Sequence, residues 1–220
     1  MIRALILDFD GLVLDTESSV YESWRRSYQE QGVDLPLDLW CRAIGGDGSA
    51  FDPLGHLRAQ VAELSEEDLQ RRRRHHRDSM LEGLAPLPGV EQRLREARSL
   101  GIPTAIASSS TRDWVEPHLE RTSLRSYFDV LVTADDVSRT KPDPELYLRA
   151  LDALDAPPAG ALAIEDSPNG VQAARAAGVY CLAVPGPMTR ALAFPTASRR
   201  LASLAEHSLG ELISEMGLSG

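Results

Sequence analysis

A chain of 220 residues with 43% apolar and 25% charged content can bury a sizeable core. No stretch approaches the roughly 18 consecutive apolar residues that a membrane span requires, and the net charge of −10 disfavours nonspecific binding to nucleic acid or anionic lipid. Cys41 and Cys181 lie far apart without CxxC spacing, so reduced thiols of a cytoplasmic protein are expected, not a disulfide or a thiolate metal site.

In chain order, the apolar run Ala4-Leu5-Ile6-Leu7 reads as a buried first strand; it is too short for a secretory signal, so export is not expected. It stops at Asp8-Phe9-Asp10-Gly11, where the period of two puts Asp8 and Asp10 on the same side of an extended chain. Glu17 to Gln31 carries Val20, Trp24 and Tyr28 at steps of four, an amphipathic helix with Gly32 placed to end it. Helical or irregular sequence continues to about Gly83 and includes a turn at Gly45-Gly46-Asp47-Gly48. Within it, Ser65-Glu66-Glu67-Asp68 reads as a helix start with a capping box. The basic block that follows, Arg71 to Arg74 with His75, His76 and Arg77, is then a solvated helix face; a patch for an anionic partner is the alternative, weakened because no aromatic residues interleave it. Adjacent His75 and His76 point to different helix faces and make no metal pair.

After Leu87-Pro88-Gly89 the pattern changes. A helix with Val90, Leu94 and Ala97 ends at Gly101, and Pro103-Thr104-Ala105-Ile106-Ala107 forms a second strand. Further strands are expected at Asp129-Val130-Leu131-Val132-Thr133, Ala161-Leu162-Ala163-Ile164 and Tyr180-Cys181-Leu182-Ala183-Val184, separated by helices over 144–154 and 168–177. Short apolar strands alternating with helices predict a parallel sheet covered on both faces. The expected architecture is an α/β, Rossmann-like core of residues 1–15 and 85–220, interrupted by a helical lid over 16–84. Leu14-Asp15-Thr16 and the segment before Pro88 would be its hinges.

Polar residues follow most of these strands, and in a parallel sheet the strand ends share one edge. Asp8, Asp10, Glu165 and Asp166 make an all-oxygen environment suited to Mg2+ and poorly suited to zinc. Ser108 and the backbone amides beginning at Ser109 stand where a strand feeds a helix, a setting that receives phosphate oxygens, and Lys141 adds a positive charge. Taken singly, Ser108 reads as a helix cap, Lys141 as a surface lysine and Ser167-Pro168 as a cap with proline at the first helical position. Taken together, they describe a phosphoryl site.

Asp8-Phe9-Asp10-Gly11-Leu12-Val13, the serine after the second strand, Lys141-Pro142-Asp143-Pro144-Glu145 and Ile164-Glu165-Asp166-Ser167-Pro168-Asn169-Gly170 resemble, in order, the motifs of the haloacid dehalogenase-like hydrolase superfamily. The helical insertion and Leu14-Asp15-Thr16-Glu17 resemble its β-phosphoglucomutase-like phosphatases, which carry a helical cap. The resemblance implies that Asp8 is the nucleophile forming an aspartyl-phosphate. Asp10 would be the acid that protonates the leaving oxygen and then deprotonates water. Ser108 and Lys141 would hold the phosphoryl group. Mg2+ would be bound by Asp8, the backbone carbonyl of Asp10 and Asp166, with Glu165 ligating directly or through water.

Asp10 and Asp166 argue against the dehalogenases, which are similar to one another in lacking the second acid and the metal acids. The mutases resemble one another in placing a histidine in the first lid helix and basic residues at the lid's substrate loop. Here those stretches read Ser18-Ser19-Val20 and Ala43-Ile44-Gly45-Gly46-Asp47-Gly48, with Arg42 as the nearby cation. Hydrolysis of a small phosphorylated metabolite by a monomer is therefore expected, with a mutase as the alternative and a non-catalytic protein using its arginine-rich face as a third reading. Glu17 either faces the substrate across the hinge or is an acid favoured by the first turn of a helix, and the second setting is the expectation.

Overall fold

A computed structural model describes residues 2–44 and 51–216; the turn at 45–48 and the side chain of Arg42 lie outside the described residues. The central element is β1 (Ala4–Leu7), flanked by β2 (Thr104–Ala107) and β4 (Ala161–Glu165). With β3 (Val130–Val132), β5 (Tyr180–Ala183) and β6 (Arg199–Arg200), they form one sheet in the order β3-β2-β1-β4-β5-β6, parallel throughout. The expected strands are present within a residue or two. β6 was not anticipated: it is two arginines long, pairs with Leu182 and Ala183, and has no apolar run to announce it.

Alternation along β1 sends Leu5 and Leu7 into one apolar cluster and Ala4 and Ile6 into another, so both faces of the sheet are covered. Leu5 and Leu7 meet α5 (Val90–Ser99) through Val90 and Leu94, and α6 (Arg112–Arg121) through Val115 and Leu119. Ala4 and Ile6 meet α7 (Glu145–Ala153) through Leu146 and Tyr147, and α8 (Pro168–Ala176) through Val171 and Ala174. Each fully buried leucine or isoleucine contributes about 1.5–3 kcal/mol, which fixes the register of the strands and the positions of their ends.

Between β1 and β2 come α1 (Thr16–Gln29), α2 (Leu37–Ala43), α3 (Pro53–Arg58) and α4 (Glu66–Leu81). They enclose an apolar cluster of their own, built on Trp24, Tyr28, Leu35, Trp40, Ile44, Leu57 and Leu69. Asp15 caps α1 by accepting from the Ser18 amide at 3.2 Å. The helix runs to Gln29 and Gly32 closes it as the sequence predicts: at φ +73° its amide donates to the Gln29 carbonyl at 3.0 Å, and the Val33 amide donates to the Tyr28 carbonyl at 3.1 Å. Ser65 precedes α4, but its side chain makes no capping bond, so the expected capping box does not form: Asp68, the third helical residue, pairs with Arg71 instead.

The basic block is largely engaged within the molecule. Arg72 and His76 reach Glu30 at 3.3 and 3.7 Å, and the Arg73 guanidinium stands 4.6 Å over the Trp24 ring. The helices rest on the sheet's carboxyl edge. Asn169 Nδ2 donates to the Ile44 carbonyl at 3.1 Å, and Met188 packs on the helical cluster. The chain segments entering and leaving the helices lie side by side, with the Leu87 amide donating to the Val13 carbonyl at 2.9 Å. Among the described residues, no helix is long and apolar enough to cross a membrane.

Candidate active site

Going outward from β1, the chain visits β2 and β3 on one side and β4 to β6 on the other, so the order reverses between β1 and β4. Open α/β sheets bind ligands at this reversal, beyond the carboxyl ends of the strands. Leu7 is level with Ile106 and Ile164, so Asp8 emerges beside Ala107 and Glu165. The Asp8 amide still donates to the Ile164 carbonyl at 3.0 Å, which ties the residue to the sheet. Gly11, at φ +79°, turns the chain back, and a side chain there would collide with the Asp166 carboxylate.

Asp8, Ser108, Lys141, Glu165 and Asp166 are all buried. Lys141 Nζ bonds the Asp8 carboxylate and lies 2.6 Å from Glu165 Oε1; far from being a surface lysine, it is 1% exposed. One carboxylate oxygen from each of Asp8, Glu165 and Asp166 lies within 4.8 Å of the others, the one such metal-capable group among the described residues. Three acids around a single ammonium leave negative charge in excess. Burial lifts the Asp8 carboxyl to about 8, with Lys141 opposing and Glu165 and Asp10 adding repulsion. Burial raises Asp166 well above the ordinary carboxylate range, reinforced by Asp8, Glu165 and Glu17. Lys141 is raised despite burial, because Asp8 and Glu165 favour its charged form.

The donors fit a hard divalent cation. Carboxylate oxygens alone make up the cluster, and Glu165 Oε2 is buried with no hydrogen-bond partner. Tyr147 Oη donates to the other oxygen of Glu165, Oε1, and Thr189 Oγ1 donates to Asp166 Oδ2 at 3.3 Å. A Cβ at Gly170 would overlap the Glu165 carboxylate, so only glycine lets the start of α8 pass this close. Ser167 caps α8 by accepting from the Gly170 amide at 3.1 Å, with Pro168 in its first turn, as the sequence suggested.

On the β2 side the serine loop is not itself the helix cap: α6 begins at Arg112, after Thr111. Two residues of loop, Ser109 and Ser110, separate Ser108 from that cap, which frees the Ser108 hydroxyl to accept from the Ser110 amide at 3.0 Å. Ser109 Oγ is buried without a partner. The Asp10 side chain stands apart from the acidic cluster. Its Oδ1 accepts from Thr16 Oγ1 at 2.7 Å and Trp114 Nε1 at 2.8 Å, and its Oδ2 accepts from Ser110 Oγ at 2.6 Å with Ser108 Oγ at 3.4 Å. Glu17 lies in the first turn of α1, the expected setting, and burial followed by repulsion from Asp10, Asp8 and Asp15 lifts its carboxyl to about 8.

Thr16, Ser110, Trp114, Tyr147 and Thr189 were not singled out from the sequence. Only Ser110 and Thr16 carried a signal, as neighbours of quoted motifs. Trp114 and Tyr147 read as ordinary aromatic positions of amphipathic helices, and their polar ends find partners only in three dimensions.

A family description for haloacid dehalogenase-like hydrolases matches residues 5–184. The chain is 43% identical to YhcW of Bacillus subtilis over 98% of both chains, a relative whose name carries phosphatase as a provisional assignment. It is 33% identical to the phosphorylated carbohydrates phosphatase of Thermotoga maritima, over 80% of this chain and 82% of that one. The crystal structure of CbbY from Rhodobacter sphaeroides in complex with phosphate superimposes with a TM-score of 0.74 at 30% identity, covering 96% of this chain and 99% of that one. Since the family match runs from the first strand to Val184 and takes in every strand end that contributes to this cluster, the chain belongs to the haloacid dehalogenase-like hydrolases.

Proposed function

We propose that the protein is a Mg2+-dependent phosphatase that hydrolyses a small phosphorylated metabolite, a sugar phosphate or similar monoester, through an aspartyl-phosphate. The observation that carries this reading is the buried Asp8 carboxylate, bonded by Lys141 and grouped with Glu165 and Asp166 beside a hydroxyl-bearing loop with unpaired polar atoms. The names of the relatives support the substrate class: one acts on phosphorylated carbohydrates.

In this reading Asp8 attacks phosphorus and the ester P–O bond breaks, while Asp10 gives a proton to the departing oxygen. Water then attacks the aspartyl-phosphate, Asp10 takes its proton, and inorganic phosphate leaves with Asp8 restored. Ser108, the Ser109 amide and Lys141 hold the phosphoryl oxygens. Asp8, Glu165 and Asp166, with the Asp10 carbonyl, would hold Mg2+, which would offset charge on the transferring group. Residues 1–15 and 85–220 act as the catalytic core, and residues 16–84 as a cap that excludes bulk water and selects the alcohol half of the ester. The two free thiols suit a cytoplasmic setting.

The test is phosphate release from a panel of small phosphomonoesters with Mg2+ and with chelator, running Asp8→Asn beside the wild type. Metal-dependent release that falls at least about 10⁴-fold in the variant is expected. Metal-independent release, or a variant near wild-type rate, would refute the assignment. Absence of release together with isomerisation of a hexose phosphate would identify a mutase.

A further inference from the structure

The last arginine of the basic block leaves the helical cluster and meets the core. Arg77, on α4, holds its guanidinium 5.2 Å from the centroid of the Trp114 ring, within cation–π range. It is oriented by Asp78 Oδ1, which accepts from its Nε and Nη2 at 2.8 and 2.7 Å. The His118 ring also packs against the indole, with centroids 4.7 Å apart, and Phe9 meets His118 in turn at 6.2 Å. The indole is thereby wedged, and its Nε1–H donates to Asp10 Oδ1.

An indole N–H is a donor only and cannot turn away, whereas the hydroxyls of Ser108 and Ser110 donate or accept as needed. Oδ1 is therefore held as an acceptor. Oδ2, the oxygen nearer Ser108, is left to exchange a proton. Two of the groups that fix this arrangement, Thr16 and Arg77, belong to the helices between β1 and β2, so it is complete only while those helices rest on the sheet edge.

We propose that Trp114 is a positioning residue that fixes the Asp10 carboxylate for proton transfer to the leaving group, and that Arg77 makes this dependent on the seated cap. The proposal rests on the reading of Asp10 as the acid and base of a phosphatase. It predicts a dependence on the leaving group. An alkoxide needs a proton to depart and a nitrophenolate does not, and kcat/KM reports only the steps up to that departure.

The experiment compares kcat/KM for an alkyl phosphomonoester and for 4-nitrophenyl phosphate in wild type, Trp114→Phe, Arg77→Gln and the exposed neighbour Arg74→Gln. Trp114→Phe keeps the aromatic packing and should lose about 30-fold on the alkyl ester but less than about threefold on the aryl ester. Arg77→Gln should show the same split at about fivefold, and Arg74→Gln none. Equal losses on both esters, or none, in an active enzyme would overturn the positioning role alone. A wild type inactive on every phosphate would refute the phosphatase reading and the catalytic use of Trp114 with it. Should Trp114→Phe fail to fold, the indole resonances of the three tryptophans decide. The Trp114 Nε1–H signal should move in both Asp10→Asn and Arg77→Gln, and no movement in either would overturn the proposal.

Discussion

At the carboxyl edge of the sheet the charges are inside: Asp8, Glu165 and Asp166 are buried around Lys141. In the helices between β1 and β2 the inside is Trp24, Tyr28, Trp40 and Leu57, and most arginines pair with acids in partly or fully exposed positions. The helical unit is built as an ordinary amphipathic assembly is, with its stability in apolar burial. The sheet edge holds like charges together because the hydrogen-bonded ladders of β1 and β4 leave their end residues no other place. Such concentrated, preorganised charge suits chemistry on a phosphoryl group.

The contrast can be broken most severely at Lys141. Lys141→Met should reduce Mg2+-saturated phosphate release by about 10²- to 10³-fold, because the ammonium is the one buried cation beside Asp8 among the described residues. A loss of less than tenfold would show that the metal alone neutralises the transferring group.

A smaller effect should appear in stability against pH. Asp8 and Glu17 are lifted from ordinary carboxyl values of 3.8 and 4.5 to about 8. Between these limits the folded state holds protons that the unfolded chain has released, so their stabilising contribution is present below the unfolded values and disappears as pH rises through about 8. The metal-free protein should therefore melt about 5 °C lower at pH 8 than at pH 5. Mg2+ should recover most at the alkaline end, because its ligands must be deprotonated. A melting temperature that rises over this range without metal would contradict the uncompensated acidic cluster.

The mildest change sharpens the comparison from the helical side. Tyr28 Oη donates to the Pro53 carbonyl at 2.6 Å and meets His56 Nδ1 at 3.0 Å, and the two rings stack at 5.8 Å. Tyr28→Phe should cost about 1 kcal/mol in urea unfolding while leaving turnover of a small phosphomonoester within about twofold. A tenfold loss of turnover would mean that the helical interior is tied to the chemistry more tightly than the geometry implies.

The sequence by itself determined the sheet strands that end at the site and the identity of the groups gathered there. Apolar runs such as Ala4 to Leu7 announce buried parallel strands, and parallel pairing must deliver whatever follows them to one edge. That is why Asp8, Ser108, Lys141, Glu165 and Asp166 are legible as one site in the sequence. Tertiary structure decided the rest, because the remaining roles depend on partners distant in sequence. β6 is a strand only because Leu182 and Ala183 offer it a ladder. Arg93 is buried in α5 because its Nη1 reaches the Leu204 carbonyl at 3.0 Å and its Nη2 reaches Glu96 at 2.8 Å. Arg77 leaves what reads as a solvated face for an indole of the core. Periodicity reports which side of an element is apolar; which polar groups meet across that side is set by packing between elements, and local pattern carries no record of it.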